Sequence, residues 1–199
     1  TFIIFTSDNG GYFGKITMQK PLRAGKGSYY EGGIRVPFFI MWKNKVAVGK
    51  NEQTPISHLD IFPTIMELSG DHSINKQLDG QSLIPIITVD QQMAERSFFW
   101  HFPIYLQGYN VMYNENRDSL FRTRPGSLIR KGDWKLHYYF EDQEIELYNL
   151  KEDIGERNNL AEIKVEKTQE LIDELQSWWE FTKAPIPRTL NPLYEPQLN

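Results

Sequence analysis

The chain opens on an apolar run, Phe2-Ile3-Ile4-Phe5-Thr6, that stops at Ser7-Asp8-Asn9-Gly10-Gly11. A continuous run without polar alternation predicts a strand covered on both faces, with a parallel neighbour. A second run, Val36 to Trp42, predicts another buried strand, and Pro37 falls at its start, where no ladder donor is lost. Between them lies a Gly-rich loop, Gly10 to Gly27, carrying Lys15, Lys20, Arg23 and Lys26. A central strand needs neighbours on both sides. A chain with only Thr1 ahead of such a strand is expected to be a fragment whose partner strands lie upstream.

His58 to Gly70 has the pattern of a short helix. Asp60 is the expected N-cap, Pro63 falls in the first turn and Gly70 stands at C′. Asp71 to Asp90 reads as polar loop with one apolar patch, Leu83 to Ile87. Near Asp90 the pattern changes from α/β to separated strands followed by a helix. The predicted strands are Arg96–Phe102, Ser127–Arg130, Trp134–Phe140 and Glu144–Asn149, with hairpin connections at Lys131-Gly132-Asp133 and Glu141-Asp142-Gln143. Glu144 to Tyr148 alternates polar and apolar, as a strand with one solvent-facing side does. Asn159, with Glu162 three residues on, is expected to open the last helix in a capping-box-like pair. Leu171, Leu175, Trp178 and Trp179 form its apolar stripe. The prolines after Lys183 predict an extended tail.

Composition narrows the function. With 199 residues the chain is one domain or a domain plus a small appendage. The net charge of −4 gives no basic excess for phosphate neutralisation, which argues against a nucleic-acid binder. No apolar run approaches the ~20 residues of a membrane helix. The absence of cysteine removes disulfides, thiolate metal sites and a cysteine nucleophile from this chain. Aromatics make up 14% of the residues, enough for a Phe/Tyr-rich core and for platforms under sugar rings.

Asp8-Asn9-Gly10-Gly11 follows the first strand, so it lies at a strand's carboxyl end, where open α/β sheets bind ligands. A carboxylate beside an amide oxygen suits Ca²⁺ or Mg²⁺; the same residues are also ordinary turn chemistry. Two donors fall short of the roughly six or more oxygens a hard cation takes, so further ligands are expected elsewhere. Lys26, between Gly25 and Gly27, has little steric cover and either reaches an anion or stays solvated. It is not in a P-loop, because Lys20 stands where that motif's first glycine belongs. His101, between Trp100 and Phe102, is a structural histidine or part of a subsite wall with Tyr105 and Tyr109. His58 suits a loop hydrogen bond; His72 and His137 carry no signal.

The order of these pieces resembles the C-terminal half of a formylglycine-dependent, arylsulfatase-type sulfatase of the alkaline-phosphatase-like superfamily. The resemblance is carried by Thr6-Ser7-Asp8-Asn9-Gly10-Gly11 and by Pro21-Leu22-Arg23-Ala24-Gly25-Lys26-Gly27-Ser28-Tyr29-Tyr30-Glu31-Gly32-Gly33-Ile34-Arg35-Val36-Pro37. His58 to Thr64, Asp79 to Leu83, Arg130 to Leu136 and Glu146 to Leu150 with Asp153 continue it. It implies an α/β fold: the C-terminal part of a mixed-sheet catalytic domain in residues 1–90, then an antiparallel sheet plus helix subdomain with an extended tail in residues 91–199. It implies calcium ligation by Asp8 and Asn9 and a sulfate contact by Lys26. Glu31 and Arg35 are expected to be a buried, mutually satisfied pair supporting the loop.

The family's nucleophile, a formylglycine made from Cys or Ser in a Cys/Ser-x-Pro-x-Arg motif, is absent from this chain. It is expected in an N-terminal half of the same protein, which would complete the site. The resemblance thus implies hydrolysis of sulfate esters, with a sulfated carbohydrate as the first expectation, and a periplasmic or secreted location. The chain alone is expected to be inactive. Two other readings stay open: a phosphodiesterase or phosphonate hydrolase relative, and a non-catalytic sugar-binding module.

Overall fold

The computed structural model describes residues 1–12, 17–70, 77–89, 91–107, 115–117 and 120–189. The chain forms two compact units, Thr1–Thr6 with Phe38–Glu95, and Ser7–Pro37 with Arg96–Asn199.

In the first unit, β1 (Phe2–Thr6) pairs with β2 (Phe38–Trp42). The pairing is antiparallel, from Phe2 opposite Trp42 to Thr6 opposite Phe38, and this corrects the parallel expectation. Continuous apolarity reports that both faces are suited to cover; it does not report strand direction. The intervening segment supplies no long crossover helix among its described residues, since α1 (Glu31–Ile34) is a single turn. Phe2 meets Trp42 edge-on at 5.6 Å between ring centroids. On the other face Ile3, Phe5, Phe39 and Met41 are exposed.

A 3-10 turn at His58–Asp60 leads into α2 (Ile61–Ser69), which ends at Gly70 in the left-handed region, φ +68°. Asp60 stands at the expected N-cap position of α2, without a side-chain cap bond, and the cap of the 3-10 turn is Ser57. Its Oγ accepts from Leu59 N–H at 3.2 Å, while Asp60 Oδ2 accepts from Ser57 N–H at 2.8 Å. The other Asp60 oxygen accepts from Gln81 N–H at 2.8 Å, and Thr64 Oγ1 accepts from Leu83 N–H at 2.9 Å. Buried Asp60 and Thr64 thereby latch the Gly80–Leu83 strip onto the helix start. A Cβ at Gly80 would fall 2.0 Å from Leu59 O, so that approach requires glycine. The patch expected as loop at Leu83 to Ile87 forms a short helix, α3 (Ile84–Thr88), with Pro85 in its first turn.

The second unit is built on a four-stranded antiparallel sheet in the order β3 (Ser97–Phe102), β6 (Gly126–Lys131), β7 (Trp134–Tyr139), β8 (Ile145–Asn149). β4 (Leu106–Gln107) and β5 (Phe121–Thr123) form a separate antiparallel pair. The last helix, α4 (Val165–Thr182), lies on one face of the large sheet. Ile129, Leu136, Leu147, Leu171 and Leu175 are fully buried between them. Trp178 stacks on Phe99 at 4.9 Å, and Trp179 Nε1–H donates to Ser127 Oγ at 2.9 Å.

Two local expectations are corrected here. Asn159 does not cap α4, whose first residue is Val165. Its side chain instead bonds the free edge of β8, accepting from Leu147 N–H at 2.9 Å and donating to Ile145 O at 3.0 Å. An amide that could cap a helix can equally extend a strand ladder. The polar side of β8 is not solvent-facing either, because Glu146 and Tyr148 are buried under Tyr30 and Arg23 from the loop after β1. Among the described residues no helix is long and apolar enough to cross a membrane.

Candidate functional site

The site begins where the chain leaves β1. Ser7 Oγ–H donates to Asn9 O at 2.9 Å, Asn9 N–H to Asp8 Oδ1 at 3.0 Å, and Asn9 Nδ2–H to Gly10 O at 3.0 Å. These local bonds hold both side chains, and among the described residues no donor reaches Asp8 Oδ2 or Asn9 Oδ1. Asp8 is exposed and Asn9 half-buried.

Two backbone bonds bring Lys26 to this turn. Lys26 N–H donates to Gly11 O at 2.9 Å, and Gly10 N–H donates to Gly33 O at 2.8 Å. A Cβ at Gly10 would fall 1.8 Å from Gly32 O, so the two strips pack backbone on backbone because neither carries a side chain there. Ser28 closes the lysine turn, its N–H and Oγ–H both donating to Gly25 O, and Gly27 takes φ +86°. Lys26 itself is exposed. The backbone of Lys26 is therefore held beside the turn that carries the two hard oxygen donors.

The donor chemistry of Asp8 and Asn9 fits calcium in type and falls short in number. No group of three or more His, Cys, Asp or Glu side chains that could hold a metal ion occurs among the described residues. A complete shell of about six to eight oxygens needs donors beyond these two. Nothing in the sequence fits the formylglycine precursor, since there is no cysteine and no Ser-x-Pro-x-Arg.

A buried ionic network holds the loop to the sheet. Glu31 Oε1 lies 3.0 Å from Lys135 Nζ, which lies 2.8 Å from Glu156 Oε1. Glu31 N–H also donates to Glu156 Oε2, and His137 Nε2 lies 3.2 Å from Glu156 Oε1. Burial pushes the Glu156 carboxyl up, but the Lys135 ammonium and the His137 contact outweigh it and hold it at about 2. Tyr30 O–H donates to Glu146 at 2.9 Å, and burial raises the Tyr30 phenol. Glu31 does reach Arg35, at 3.5 Å, yet Arg35 is 46% exposed, so the buried partner of Glu31 is Lys135. Lys135 and His137 alternate with apolar residues in β7, and His137 stands opposite Glu146 in β8. Titratable residues of opposite sign on one face of neighbouring strands are the signal that could have located this cluster.

His101 lies on the α4 face of the sheet, with Ser127 and Trp178, whereas the Tyr29–Glu31 loop covers the other face. Its Nδ1 is 2.7 Å from Ser127 Oγ and its Nε2 3.3 Å from Pro185 O. Pro185 O can only accept, so Nε2 carries the proton directed at it, and in the neutral ring Nδ1 accepts from Ser127 Oγ–H. Burial lowers the His101 pKa, in keeping with that form. Both ring nitrogens thus serve the sheet, helix and tail. Tyr105 packs on Phe121 at 4.9 Å; Tyr109 and His72 lie outside the described residues.

Comparison with known proteins gives the family. The family described as N-sulphoglucosamine sulphohydrolase, C-terminal, matches residues 25–183. The chain belongs to the sulfatase family and corresponds to its C-terminal region. A sulfatase of Formosa agariphila is 34% identical over 201 residues, covering 93% of this chain and 34% of the relative. Human arylsulfatase A is 29% identical, covering 88% and 36%. Among solved structures, Ps i-CgsB in complex with k-i-k-neocarrahexaose superposes with a TM-score of 0.68 at 29% identity, over 89% of this chain and 36% of that one. The chain thus spans about a third of the length of these relatives.

Proposed function

We propose that Asp8, Asn9 and Lys26 form one side of the sulfate-ester site of a carbohydrate sulfatase, in the C-terminal part of an alkaline-phosphatase-like catalytic domain. The remainder of the site would come from an N-terminal part of the same protein. The observation that carries this reading is the pair of backbone bonds, Lys26 to Gly11 and Gly10 to Gly33, which join the oxygen donors to the exposed ammonium. The oligosaccharide held by Ps i-CgsB supports a sulfated glycan as substrate. Such polymers are met outside the cytoplasm, which favours a periplasmic or secreted protein.

Lys26 binds an oxygen of the sulfate group and offsets its charge, and the fixed turn keeps the ammonium in place without reorganisation. Asp8 and Asn9 would hold calcium together with donors from the rest of the protein. When bound, that cation supplies Lewis-acid polarisation of sulfate oxygens. Asn9 Nδ2–H donates to Gly10 O, which holds the amide in one orientation. The Glu31–Lys135–Glu156 network keeps both strips anchored to a rigid sheet, which is what a preorganised site requires.

The test is sulfate release by the full-length protein from a panel of sulfated oligosaccharides and 4-nitrophenyl sulfate. Release from the glycans, with none from residues 1–199 alone, is expected. Turnover of phosphate diesters or phosphonates in place of sulfate esters would overturn the reading.

A further inference from the structure

We infer that Arg122 is a second anion contact beside Lys26, reading an additional sulfate or carboxylate on the sugar whose scissile sulfate Lys26 holds. The inference rests on the sulfate-ester reading of the site and adds a specificity residue to it.

Arg122 comes from β5, far in sequence from the glycine-lined corner, yet it is bracketed by both strips of that corner. A Cβ at Gly27, the residue after Lys26, would lie 3.1 Å from Arg122 Cδ and 2.7 Å from Leu106 Cδ2. The arginine stem therefore runs against the backbone of the lysine turn. Its guanidinium carbon lies 5.0 Å from the ring centroid of Tyr12, the residue after Gly11. Both neighbours follow directly on the residues that hold the site together, Gly11 and Lys26.

The guanidinium has no hydrogen bond or ion pair among the described residues, and its Nε is buried without a partner. Other arginines of the same unit are matched to carboxylates: Arg117 to Asp142 and Glu144, Arg124 to Glu141, Arg157 to Glu115. A guanidinium with no acceptor among the described residues is open to an incoming one. Its planar fork matches the paired oxygens of a sulfate or carboxylate. Lys26 is already the contact for the scissile group, and Arg122 stands on a different element. A second anionic group on the same or the adjoining sugar meets that arrangement.

The test is calorimetric binding by the full-length protein. The probes are disaccharides from carrageenan, chondroitin sulfate and heparin, each singly sulfated one paired with its doubly sulfated and its uronate-bearing counterpart. The pair that shows the preference distinguishes sulfate from carboxylate as the second group. The wild-type protein is expected to favour a doubly anionic member by about tenfold, the worth of one charge-assisted contact. Arg122→Gln keeps the stem against Gly27 and should cancel the preference, while Arg122→Lys should keep part of it. A wild-type protein without any such preference, or a preference that persists in Arg122→Gln, overturns the inference. A preference that is present and lost in Arg122→Gln, in a protein that turns over no sulfate ester, would leave the subsite standing and sink the sulfatase reading instead.

Discussion

Lys135 Nζ lies 3.0 Å from Glu31 Oε1, and neither side chain is more than 1% exposed. The strand β7 and the loop that carries Lys26 are thus joined by an ion pair out of reach of water. Removing one partner leaves two buried carboxylates, Glu31 and Glu156, without their shared cation. Lys135→Met in the full-length protein is expected to cost roughly 3–5 kcal/mol, the usual penalty for stranding a buried charge. The urea midpoint measures it. Lys135→Met combined with Glu31→Gln should recover part of the loss, because the residues share one network.

Glu156 sets an acid limit. Its carboxyl is held at about 2 in the folded state against an ordinary value of 4.5. A depressed carboxylate contributes stability that is complete above pH 4.5 and is lost as pH falls toward 2. Urea midpoints between pH 7 and pH 3 should fall in wild type as this contribution is withdrawn. Glu156→Gln should be less stable at pH 7 and lose less over the same interval. Parallel curves for the two proteins would show that another group sets the acid limb.

Ser127 links three elements, its Oγ accepting a hydrogen bond from Trp179 Nε1–H and bonding His101 Nδ1. Ser127→Ala leaves the indole N–H and His101 Nδ1 unanswered. A loss of about 1–3 kcal/mol is expected, as for other buried polar groups left unpaired. Thermal melting and the tryptophan fluorescence of the folded state report it. An unchanged melting temperature would show that water replaces the hydroxyl.

Much of the second unit was legible in the sequence. The β6–β7 hairpin follows from Lys131-Gly132-Asp133, where Gly132 takes φ +54° and sets Lys131 opposite Trp134. The α4 stripe was equally readable, because Leu171, Leu175 and Trp178 repeat at the helical period. The polar face of β8 was not. Alternation separates two faces, but what covers the polar one is Tyr30, more than a hundred residues earlier in the chain. Asn159 was misread because its amide serves a helix end and a strand edge by the same bonds. Within the site, Asp8, Asn9 and Lys26 stood out through their glycine neighbours. Lys135, Glu156 and Arg122 did not, since each reaches the corner only through tertiary packing.

Asp8 bears directly on the cation. Asp8→Ala in the full-length protein removes a charged hard donor from a site whose affinity depends on ligand charge and count. Calcium affinity by calorimetry is expected to fall by about tenfold or more. Unchanged affinity would refute Asp8 as a ligand.

The central claim is that the exposed ammonium of Lys26 touches the sulfate group of the substrate. Turnover of 4-nitrophenyl sulfate by full-length wild type and Lys26→Ala measures it most directly. Loss of a preorganised charge contact of this kind should lower kcat/KM by about 10²–10³. A Lys26→Ala enzyme that keeps wild-type kcat/KM would contradict the account.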